Sequence, residues 1–182
     1  MANLVRALAR RRVQLGFLCA VLVLWLAEPT GASLVWGVVV AAGGEALRVW
    51  AAGHLTKARE VTMSGPYRWM AHPLYVGSAI MGAGLAIASA RATAAFVIAA
   101  YLGATILAAV MSEEAFLRAR FGDRYDDYRR GAVARGSARR FSLAQAMANR
   151  EYRAVAGLAG GVLLLALKAT YNDVFWRAGA GH

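Results

Sequence analysis

Five apolar runs, at 13–27, 32–52, 74–90, 92–111 and 154–171, alternate with segments that hold almost all of the chain's charge. Crossing about 30 Å of hydrocarbon at about 1.5 Å per residue takes about 20 residues, so runs of this kind are read as membrane spans. The last run spans only if it extends through Lys168 to Tyr171 with the lysine snorkelling; otherwise it is interfacial or re-entrant. The expected fold is all-α: one integral membrane helical bundle over residues 1–182 with about five transmembrane helices. A very short connection, Ser89-Ala90-Arg91, makes the third and fourth spans an antiparallel hairpin.

Composition agrees. The chain is 59% apolar and 17% charged, with mean hydropathy +0.45, which excludes a disordered tail and an ordinary soluble domain. The net charge of +11 by itself fits a nucleic-acid binder. Position argues against that partner, because 17 of the 21 Lys and Arg fall in three segments, 1–12, 53–73 and 112–153. The opposite side receives Arg91 and Arg177, with Lys168 near it. Positive charge gathers on the cytoplasmic side of membrane proteins, so the N-terminus and both long polar segments are expected there. The stretch Arg129 to Arg140 is read as a lipid-headgroup contact. Arg6, Arg10, Arg11 and Arg12 before an apolar run also fit a signal peptide, but no small-x-small cleavage pattern follows. Glu28-Pro29-Thr30-Gly31 reads as a turn, so a retained helix is expected.

Several familiar chemistries are missing. There is no G-x-x-x-x-G-K-[ST] loop and no H-E-x-x-H, and His54, His72 and His182 show no metal-ligand spacing, so no metal is expected. Gly82-Ala83-Gly84 lies inside a span and does not continue as G-x-G-x-x-G. The single cysteine, Cys19, sits in an apolar run as a packing residue. Glu45 and Arg48 share a face of the second span, either as an interfacial ion pair or as the lining of a polar cavity. Gly157 and Gly161 form a GxxxG that permits close helix contact, and oligomeric state stays open.

What remains is a cluster at two helix boundaries. Gly65-Pro66-Tyr67-Arg68 and His72-Pro73-Leu74-Tyr75-Val76-Gly77 lead into the third span, with Gly82 and Gly84 deeper in it. Glu113-Glu114 and then Phe121-Gly122-Asp123-Arg124-Tyr125-Asp126-Asp127-Tyr128 follow the fourth. A helix is expected over Glu113 to Arg120, broken at Gly122. Because spans three and four form a hairpin, the His-Pro and Glu-Glu ends must meet at one membrane face. Taken singly, the glycines read as helix packing, the tyrosines as an interfacial belt, Glu113-Glu114 beside Arg118 as a solvated charged face and His72 as a turn residue. Their convergence points to a site.

The pattern G-P-Y-R-x-x-x-H-P-x-Y-x-G, then E-E-x-x-L and F-G-x-x-Y-x-x-Y, resembles the isoprenylcysteine carboxyl methyltransferase family and its phospholipid methyltransferase relatives over residues 65 to about 130. The resemblance implies a helical membrane bundle that takes S-adenosylmethionine (SAM) from the cytoplasm and a lipophilic substrate from the bilayer. It places His72, Tyr75 and Gly77 near the cofactor, Gly82 and Gly84 at the G-x-G of the phospholipid branch, and Glu113 and Glu114 at its paired acids. One departure stands out: Ala71 occupies the position directly before His-Pro, where the family usually has a basic residue, and Arg68 is the replacement cation.

The residue types suit that cofactor. Arg68 and His72 can meet its carboxylate, Glu113 or Glu114 its ammonium, and Tyr75 and Tyr125 its ring or ribose, while Gly77, Gly82 and Gly84 permit close approach. Arg68 and Glu114 are the candidates for a catalytic role. The activity implied first is O-methylation of a carboxylate on an isoprenoid or lipid-linked acid, and next N-methylation of an amine headgroup. An NADPH-dependent sterol-type reductase or a non-catalytic scaffold is the alternative from another class, and adjacent glutamates disfavour a phosphate-bearing nicotinamide.

Overall fold

The computed structural model describes residues 2–56, 62–123, 127, 130 and 140–179. The helices are α1 (Ala2–Leu26), α2 (Gly31–His54), α3 (Pro73–Ser89), α4 (Ala92–Phe121), α5 (Leu143–Ala148) and α6 (Tyr152–Gly179), with a 3-10 helix at Gly65–Arg68 before α3, and no strand occurs among the described residues. The fold is a helical membrane bundle. Three stretches, Gly31–His54, Ala92–Phe121 and Tyr152–Asn172, are long and apolar enough to cross a membrane, whereas the apolar part of α1, Gln14–Leu26, and α3 are shorter. Tyr125, Tyr128, His182 and most of 129–140 lie outside the described residues.

Helix ends follow local chemistry. Thr30 and Ser33 form a reciprocal capping box at the start of α2, and Pro73 opens α3 directly after the cap residue His72. Two helices run further than the apolar runs alone indicate. α1 continues back to Ala2 through an arginine-, alanine- and leucine-rich stretch of strong helix formers, and α4 passes unbroken from the bilayer run to Phe121. It stops at Gly122, whose φ of 51° suits glycine.

The closest packing is between α2 and α3. A Cβ on Gly37 would fall 2.6 Å from the Gly84 carbonyl oxygen, and one on Gly84 2.6 Å from that of Gly37; Gly44 and Gly77 repeat the reciprocity at 2.6 and 2.7 Å. Two glycine pairs, each seven residues apart on its helix, let the backbones touch. On the other side of α3, a Cβ at Gly82 would collide with Leu102 of α4. Val23, Ala94 and Ile98 join α1 to α4, and Leu165 of α6 packs with Ala27 and Ala88. Large apolar side chains point outward, Trp25 at 76% and Phe96 at 75% exposure, as a lipid-facing surface requires.

One end of the bundle is tied by its turns. Glu28 pairs with Arg91 at 2.9 Å, and Lys168 Nζ donates to the Leu24 and Trp25 carbonyls at 2.7 and 2.8 Å, capping α1. The lysine thus has partners within the bundle. The GxxxG on α6 has none among the described residues: added Cβ atoms at Gly157 and Gly161 meet nothing within 4 Å.

Candidate active site

At the opposite end, His72 stands at the mouth of α3 and faces α4. Its Nε2 lies 3.3 Å from Glu114 Oε1 and its Nδ1 3.9 Å from Glu113 Oε2. Glu114 Oε2 is 3.8 Å from Arg118, one turn on. The Tyr75 ring is centred 5.8 Å from the imidazole, tilted by 36°. Helical Cβ atoms lean toward the helix N-terminus, so acids beyond the bilayer run of α4 reach back over the start of α3. The hairpin therefore brings together His72, Tyr75, Glu113 and Glu114.

The other sequence candidates fall elsewhere. Gly77 and Gly84 line the α2 seam, and Gly82 faces α4. Arg68 is exposed at the end of the 3-10 helix that leads to His72. Tyr125 is among the residues not described. Ala71 sits in an apolar cluster with Met63, Leu117 and Phe121, surroundings that suit alanine better than a cation.

A second polar cluster lies behind α3. Arg48 Nη2 pairs with Glu151 Oε1 at 2.7 Å, and its Nε is 3.5 Å from Glu45 Oε2. Arg48 also donates to the Leu74 carbonyl at 3.4 Å and hydrogen-bonds Ser78 Oγ. Glu45 and Glu151 are each 7% exposed, and neither oxygen of Glu45 has a hydrogen-bond partner. Glu45 is the charged residue in the lining of a groove of about 500 Å³ otherwise formed by Ala42, Ala46, Val49, Trp50, Phe141 and Leu158. The i, i+3 spacing of Glu45 and Arg48 was visible in the sequence. Glu151 and Ser78 were missed, since their approach depends on how α6 and α3 pack.

A strap binds the end of α2 beside the groove. Asn149 Nδ2 donates to the Ala52 and Leu55 carbonyls at 2.8 and 2.9 Å, and Ser142 N to that of Gly53 at 3.2 Å, so the end of α2 is capped by the segment that supplies Phe141. Buried His54 meets Ser64 Oγ at 3.0 Å beneath it. Among the described residues, no three His, Cys, Asp or Glu side chains are grouped to hold a metal ion.

This arrangement offers carboxylates and an imidazole at one helix corner and, beside α2, an apolar groove with Glu45 in its lining. No curated protein and no solved structure matches the chain. The profile of the family described as phospholipid methyltransferase matches residues 32–124, which covers α2, α3, α4 and the whole His72–Glu114 corner. That is more than half of the 182 residues, and the chain belongs to this family of membrane methyltransferases, within the superfamily that also includes the isoprenylcysteine carboxyl methyltransferases.

Proposed function

We propose that the protein is a SAM-dependent methyltransferase for a lipophilic acceptor, working at the cytoplasmic face of the membrane. The approach of His72 to Glu114, with Glu113 and Tyr75 beside them, carries this reading. The corner fits the cofactor's donor set: Glu113 and Glu114 would hold its ammonium, His72 with Arg68 its carboxylate, and Tyr75 its ring or ribose. When bound, SAM supplies an electrophilic methyl group on a sulfonium. The chain's part is to exclude water and hold acceptor and cofactor at near-attack distance. The basic segments 1–12, 53–73 and 112–153 favour the cytoplasm for this end of the bundle.

Two acceptors compete. The resemblance to isoprenylcysteine enzymes favours a carboxylate; the groove favours an amine. Glu45 is the one charged residue in its lining, and the buried cluster next to it holds two carboxyl groups, Glu45 and Glu151, to one guanidinium, Arg48. An ammonium headgroup complements the carboxyl left without a hydrogen bond, whereas a carboxylate headgroup adds a third acid to the same space. N-methylation of an amine-bearing lipid is the reading the geometry supports best, with carboxyl O-methylation second.

The test is transfer of labelled methyl from SAM to total membrane lipid by the purified protein. Label that survives mild base marks an N-methyl product, and label released by base marks a methyl ester. A folded protein that binds no S-adenosylhomocysteine and transfers no label overturns the methyltransferase reading.

A further inference from the structure

Arg48 ties α2 both to α3 and to the residue that precedes α6. From α2 it pairs with Glu151 immediately before α6, and it bonds the Leu74 carbonyl and Ser78 Oγ in the opening turns of α3. Its stem lies across Gly77, where a Cβ would come within 2.6 Å of Arg48 Cγ. Leu74 is the second residue of α3, and His72 caps that helix. The α2–α3 seam is already closed by reciprocal glycines, and a buried ion pair is a poor source of stability compared with apolar packing. A guanidinium supplies direction instead, since its planar fork holds several acceptors at fixed angles.

We infer that Arg48 is a positioning residue for the cofactor corner. Anchored by Glu151, it fixes the opening turn of α3, and with it the placement of His72 against Glu114. The inference rests on the methyltransferase reading above. It assigns work to a residue that touches neither reacting group, and Glu151, its anchor, lies outside the family match.

The experiment is a double-mutant cycle on S-adenosylhomocysteine affinity in detergent, with Arg48→Lys, Glu114→Gln and the pair, and thermal unfolding recorded for each. Arg48→Lys keeps the charge and loses the fork. It is expected to raise Kd about tenfold, the size of one charge-assisted contact, and the double variant to be no weaker than the weaker single one. Glu151→Gln, which loosens the anchor without changing its shape, is the second arm, with an expected rise of about threefold. Lys168→Met cuts a comparable tie at the far end of the bundle and is expected to lower Tm while leaving Kd unchanged. Multiplying effects in the double variant, an unchanged Kd in both Arg48→Lys and Glu151→Gln, or an equal rise in Lys168→Met each overturns the inference. Wild-type protein that binds no S-adenosylhomocysteine overturns the methyltransferase reading and this inference with it.

Discussion

His72 Nε2 lies 3.3 Å from Glu114 Oε1, across 42 residues of chain and from one helix to the next. The α3–α4 hairpin supplies that distance and sets a clear expectation for each acid. Glu114 is 17% exposed and in contact with His72, so Glu114→Gln should weaken S-adenosylhomocysteine binding by about 1.5 to 3 kcal/mol. Glu113 is 40% exposed at 3.9 Å, so Glu113→Gln should cost less than about 1 kcal/mol. Calorimetric titration decides it, and equal affinity in both variants and wild type would remove the pair from the site.

The glycines predict opposite signs. Gly44→Ala places a methyl 2.6 Å from the Gly77 carbonyl, where only backbone movement makes room, and should destabilise the protein by about 1 to 3 kcal/mol. Gly157→Ala meets nothing within 4 Å, and should stabilise α6 by about 0.5 to 1 kcal/mol through helix propensity. Thermal unfolding in one detergent compares them directly. A destabilised Gly157→Ala would mean that this face of α6 is packed, as in a helix-mediated oligomer.

The corner was legible because a three-residue turn leaves two helices nowhere to go but alongside each other, so His72 and Glu114 could be brought together from sequence. The length of α1 was not, since hydropathy marks where a helix enters lipid and not where it ends, whereas Gly122 marked the end of the helix through Glu113 to Arg120. Gly77 and Gly84 illustrate a different limit. A motif places them near a cofactor, while their partners Gly44 and Gly37 are 33 and 47 residues away, so only packing assigns them to the seam. Glu151 carried no local signal at all: an acid before an apolar run is ordinary until Arg48 is found beside it.

On the proposed reading, Glu45 distinguishes the acceptor side from the cofactor side. It lines the groove, and its cluster meets α3 through Arg48 while His72 faces α4. Glu45→Gln keeps the shape and removes the charge, so affinity for S-adenosylhomocysteine should stay within about twofold of wild type while the KM for an amine-bearing lipid rises about tenfold. A carboxylate acceptor would instead bind better once the charge is gone. Steady-state methyl transfer to each lipid class, with titration of the cofactor product alongside, reads both quantities; a lost cofactor affinity would place Glu45 in the wrong half of the site.

The far end of the bundle holds two contacts of similar length and unequal value. Glu28 and Arg91 are 58% and 52% exposed, so their 2.9 Å pair is screened by solvent, and Arg91→Ala should change stability by about 0.5 kcal/mol or less. Lys168 reaches two backbone carbonyls in the last turn of α1, beyond which the helix supplies no further donors. Lys168→Met keeps the apolar stem and strips the donor, leaving both carbonyls unpaired at a cost of about 1.5 to 3 kcal/mol. Unfolding in mixed micelles with increasing dodecyl sulfate should rank Lys168→Met well below Arg91→Ala. The reverse order would mean that water reaches the end of α1, and that α6 is held to the bundle through Leu165 and its apolar neighbours instead.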